Sequence, residues 1–89
     1  PFDALLMPTC PTVAPPIAPL DDDEDAYGAA NIQMLRNTTV GNFLDSCGLS
    51  IPCHAPGTGP VGLMVLGATR HDEWLVLIGL AIERALGRG

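Results

Sequence analysis

The sequence predicts an α/β chain that runs strand, long loop, helix, β-hairpin, helix. Three observations carry this. A short, mostly apolar run at the N-terminus is closed by Pro8. Two stretches, 27–46 and 70–86, space their apolar residues by three and four. Between them, two strand-like runs flank a connector rich in proline and glycine.

Residues 2–7, Phe-Asp-Ala-Leu-Leu-Met, look apolar on both faces, which predicts a buried and parallel strand. Residues 8–20 hold Pro8, Pro11, Pro15, Pro16 and Pro19, a density that excludes a regular helix or a central strand and predicts an extended, stiff loop. The acidic run Asp21–Asp25 predicts a solvated loop ending at a helix N-terminus, where negative charge is stabilised. It lacks the alternation and the internal glycine of a calcium-binding loop. In the helix predicted over 27–46, Ile32, Leu35, Thr39, Phe43 and Ser46 form one stripe, widened by Met34, Val40 and Leu44. Thr38, Thr39, Val40 and Gly41 are weak helix formers, so a break or bend is expected there.

Leu49–Cys53 and Val61–Gly67 read as strands pairing antiparallel across the turn-rich Ala55–Pro60 connector, with Pro52 where no ladder donor is needed. Thr69-Arg-His-Asp72 has the form of a capping box, with Thr69 as N-cap. In the helix that follows, Leu75, Ile78, Ile82 and Ala85 define an apolar face that Trp74, Leu77, Leu80 and Ala81 broaden. Arg84 and Arg88 suit the negative end of the helix dipole, and Gly87 suits its C-terminal cap.

Composition narrows the function classes. The chain has 89 residues, one domain or part of one, and 47% of them are hydrophobic, which predicts apolar surface meant for something outside the chain. Its net charge is −6 and its four basic residues, all arginines, do not cluster, so a nucleic-acid partner is not expected. No run approaches the length of a membrane span, and no signal peptide is visible. The chain opens on Pro1-Phe2-Asp3 without an initiator methionine, as expected of a processed or truncated product. Cys10, Cys47 and Cys53 are odd in number and irregular in spacing, which predicts buried, reduced thiols of a cytoplasmic protein.

The catalytic options are thin. Ser46 and Ser50 sit in no nucleophile elbow and have no base nearby in sequence. Cys53 and His54 are adjacent in a strand and point to opposite faces, so Cys53 reads as core. Cys47, Cys53, His54 and His71 lack the paired spacing of a zinc site. No Gly-rich phosphate loop follows a strand.

Four stretches, in order and together covering nearly the whole chain, resemble the C-terminal region of amidase signature enzymes. They are Asp3-Ala-Leu-Leu-Met-Pro8-Thr9-Cys-Pro11 followed by Ala14-Pro15, Arg36-Asn37-Thr38 with Asn42, Leu49-Ser50-Ile51-Pro52-Cys53, and Pro60-Val61-Gly62-Leu63-Met64 followed by Asp72-Glu73 through Leu75 and Glu83. The chain departs from the family pattern at Asp45-Ser46-Cys47, at His54 in place of glycine and at Met64 in place of glutamine.

The resemblance implies that residues 1–89 are the C-terminal part of an amidase signature domain, a fragment without the catalytic region. It implies amide hydrolysis by a Ser–cis-Ser–Lys triad that needs no metal or cofactor and lies upstream; a chain with no lysine cannot supply that base. It implies that this region completes a large sheet and lends wall residues to the pocket of a small amide substrate. Pro8, Thr9, Arg36, Asn37, Thr38, Asn42 and Gly62 are then structural rather than catalytic, with Asn37 and Asn42 expected to hold backbone of the 8–16 loop. The remainder of the amidase domain is the expected partner, and the chain alone is expected to be inactive and to form a homo-oligomer. Two alternatives stay open: the amidase component of a tRNA-dependent amidotransferase, and a non-catalytic interaction module.

Overall fold

The computed structural model describes residues 3–87. Phe2 and Arg88, both assigned roles above, lie outside the described residues. In chain order the elements are β1 (Leu5–Pro8), α1 (Ala18–Asp22), α2 (Glu24–Phe43), β2 (Cys47–Pro52), β3 (Gly62–Gly67) and α3 (Asp72–Ala85). The fold is mixed α/β around a three-stranded antiparallel sheet of order β1-β3-β2.

The expected hairpin forms, with Cys47 opposite Gly67 and Pro52 opposite Gly62. Pro52 closes its strand, and the next residue resumes the pairing through Cys53 N–H to Val61 O at 2.9 Å. The first strand departs from expectation, because β1 pairs antiparallel with β3, Leu5 opposite Leu66 and Pro8 opposite Leu63. Apolarity on both faces says that cover is needed, not which way the strand runs. Here that cover is missing: Leu5 is 41% and Leu6 51% exposed.

The proline-rich loop also contains a helix. Pro19 occupies the first turn of α1, where no helical partner awaits its missing N–H. Helix α2 then begins at Glu24, three residues before the expected start. Asp23 sets that point: its Oδ1 accepts from the N–H groups of Asp25 (2.9 Å) and Ala26 (3.2 Å), so one residue of the acidic run is the N-cap. No break occurs at 38–41. The Thr38 and Thr39 hydroxyls donate to Leu35 O at 3.1 and 2.8 Å, which fits them into the helix.

The expected apolar stripe of α2 faces outward, with Ile32 74%, Leu35 54% and Phe43 88% exposed. The packed side instead presents Met34, Asn37 and Gly41. Small size permits the approach: a Cβ on Gly41 would lie 3.1 Å from Leu66 Cδ2.

The core lies between the sheet and α3. Ile51, Val65 and Leu75 are buried together, with Ala4, Cys47, Leu49, Ile78 and Ile82 packed around them. Strand alternation sends Met64 and Leu66, also buried, to the opposite face, toward α2. The inward face of α3 is thus the expected one, except that Ala85 is exposed; Trp74, Leu77, Leu80 and Ala81 do not broaden it but face away. The capping box does not form. Thr69 Oγ1 donates to Asp45 O at 2.5 Å, and His71 is the N-cap without a side-chain bond. Gly87 ends the helix at φ 77°, its N–H donating to Arg84 O at 2.9 Å. The thiols are free, and the expectation of burial fails for two: Cys10 and Cys53 are exposed, and Cys47 is half-buried.

Candidate functional site

An open cavity of about 680 Å³ lies where the end of β1, the following 9–14 segment, the ends of β2 and β3 and one turn of α2 converge. Its geometry follows from one glycine. Thr9 continues the β1 pairing, its N–H donating to Gly62 O at 3.0 Å. Ser50 lies on the other side of β3, where its neighbour Met64 faces α2. A Cβ on Gly62 would stand 2.4 Å from Ser50 Oγ and 3.0 Å from Thr9 Oγ1. Because Gly62 has none, the two hydroxyls meet over the central strand at 2.6 Å and tie the two edge strands together.

Asn37 holds the helix to this corner. It is 8% exposed, and its Nδ2 donates to Pro8 O at 2.9 Å while its Oδ1 accepts from Arg36 Nε at 3.3 Å. A buried amide with both ends engaged fixes the rotation of α2 relative to β1. That rotation places Met34 in the cavity wall, within 4.0 Å of the Thr12 hydroxyl. On the far wall, His54 Nδ1 accepts from Val61 N–H at 3.2 Å. Val61 O, which accepts from Cys53 N–H at 2.9 Å, lies 3.4 Å from the same nitrogen.

Of the residues singled out in the sequence, Pro8, Thr9, Asn37 and Gly62 meet at this corner, with Arg36 behind Asn37. Thr38 turns to its own helix backbone. Asn42 does not join them; it is exposed, and its side chain makes no hydrogen bond among the described residues. Sequence reasoning missed the pairing of Thr9 with Ser50 and the place of Met34 and His54 in the wall. The usable signal was a glycine at a central-strand position between two hydroxyl residues, legible only once the register is known.

Chemically the corner offers hydroxyls, the Cys10 thiol, the His54 imidazole and apolar surface. The Ser50 hydroxyl is paired with Thr9, not with a base. Among the described residues no three of His, Cys, Asp and Glu gather as metal ligands, and no helix is long and apolar enough to cross a membrane.

No family model matches the chain. It is 36% identical over 88 residues to a 2-amino-5-chloromuconic acid deaminase of Comamonas testosteroni, covering 98% of this chain and 19% of that protein. It is 38% identical over 94 residues to an indoleacetamide hydrolase of Rhizobium radiobacter, covering 97% of this chain and 19% of the relative. A glutamyl-tRNA(Gln) amidotransferase subunit from Acidobacterium capsulatum is 32% identical over 82 residues, which are 91% of this chain and 16% of that protein. The chain thus spans less than a fifth of the length of these relatives. No solved structure matches it.

Proposed function

We propose that the chain is the C-terminal segment of an amidase signature hydrolase, extending its sheet and forming one wall of its substrate pocket while the Ser–cis-Ser–Lys chemistry resides in the remainder of the domain. The observation that carries this reading is surface. The chain exposes 6451 Å², whereas a self-contained monomer of 9.3 kDa exposes about 5,000 Å². Its radius of gyration is 15.1 Å, against about 12 Å for a compact domain of this length. The excess of about 1,500 Å² exceeds the roughly 800 Å² that one partner contributes to a standard interface. Much of it is apolar, including Ile32 and Phe43 on α2 and Trp74 and Leu77 on α3.

Relatives named as a deaminase and as an indoleacetamide hydrolase, which extend far beyond the matched segment, suggest what covers this surface: the rest of the same domain. In the assembled enzyme the upstream serine oxygen attacks the amide carbonyl, the C–N bond breaks as the nitrogen takes a proton, and water then releases the acid. The present chain has no lysine to serve as the base. Its three free cysteines suit a cytoplasmic enzyme. The similarity to an amidotransferase subunit favours a second reading, in which the same segment belongs to the amidase component of a tRNA-dependent amidotransferase; amide hydrolysis would then depend on partner subunits.

The test is a graft. The isolated chain is assayed on aliphatic and aryl amides, beside the Rhizobium radiobacter indoleacetamide hydrolase in which this chain replaces the matching segment. We expect no turnover by the chain and amide hydrolysis by the graft. Turnover by the chain alone would refute the assignment of chemistry to the remainder, and a graft that folds without turnover, or fails to fold, counts against the placement.

A further inference from the structure

We draw no further inference here: the strongest candidate, the Cys10 thiol and His54 imidazole in the wall of the corner cavity at the end of β1, belongs to the pocket wall already described, and among the described residues no further ligating side chain gathers with them.

Discussion

Replacing Asn37 by alanine tests how the corner is held. The side chain is 8% exposed and spans from Arg36 Nε to Pro8 O, the latter at 2.9 Å. Its removal deprives a partly buried carbonyl of its donor, at a cost of about 1–3 kcal/mol. Alanine returns about 0.5 kcal/mol as the better helix former. The expected net loss is about 0.5–2.5 kcal/mol, a sizeable part of the roughly 5–15 kcal/mol typical of a folded domain. With a urea slope near 1 kcal/mol/M, the midpoint should fall by about 0.5–2.5 M. Asn37→Asp should also destabilise at pH 7.5, because a carboxylate facing Pro8 O can only accept, while the Arg36 guanidinium, 3.3 Å from the oxygen it bonds in the parent, offsets part of that loss. Urea titrations at fixed protein concentration measure all of this. A midpoint for Asn37→Ala within about 0.2 M of the parent would refute the attachment of α2 to β1 through this amide.

Other expectations follow from close approaches and exposure. Gly79→Ala places a Cβ 2.6 Å from Leu49 Cδ1 and should cost about 1–2 kcal/mol despite the gain in helix propensity, with Leu49→Ala relieving it in a double-mutant cycle. Gly41→Ala meets only the far end of Leu66, at 3.1 Å, and should be neutral to stabilising by up to about 1 kcal/mol by thermal melting. Cys10 and Cys53 should react with a thiol reagent at least about tenfold faster than Cys47, whose Sγ donates to Ala68 O at 3.2 Å beside the core. The isolated chain should self-associate at high micromolar concentration, seen as sedimentation above 9.3 kDa; a monodisperse monomer would mean that the uncovered faces need no partner.

What the sequence made legible was local. The hairpin followed from two strand-like runs and a Pro/Gly connector, and the inward face of α3 from Leu75, Ile78 and Ile82. The long helix was legible in kind but not in orientation. Its periodicity located an apolar stripe, and the only cover that a sequence reading can assume is the chain's own core. That stripe faces outward because α2 meets the sheet through Gly41 and Asn37, residues chosen by closeness and hydrogen bonding rather than by hydrophobicity. The capping box failed for a similar reason: Thr69 found a carbonyl from the turn after α2, at Asp45, a partner 24 residues away that no local pattern reports. Of the candidate site, the sequence singles out Thr9, Asn37 and Gly62 without the contacts between them, because the pairing of Thr9 with Ser50 depends on the strand order β1-β3-β2, which brings together two residues 41 positions apart.

That strand order also bears on how a segment without catalytic groups can shape specificity. With β3 central, β1 and β2 are both edges and carry open backbone groups into whatever lies beside them. A sheet extended at either edge would hold the Thr9–Ser50 pair rigidly, because each hydroxyl stands on a strand already paired to β3 and Gly62 leaves no side chain to push them apart. Asn37 adds the third fixed point, through Pro8 O. A donor held by three elements loses little entropy when a ligand accepts its hydrogen. On the proposed reading of this segment as a pocket wall, a change of wall residues at Val13, Met34 or Val61 is expected to shift substrate preference without touching the reacting groups.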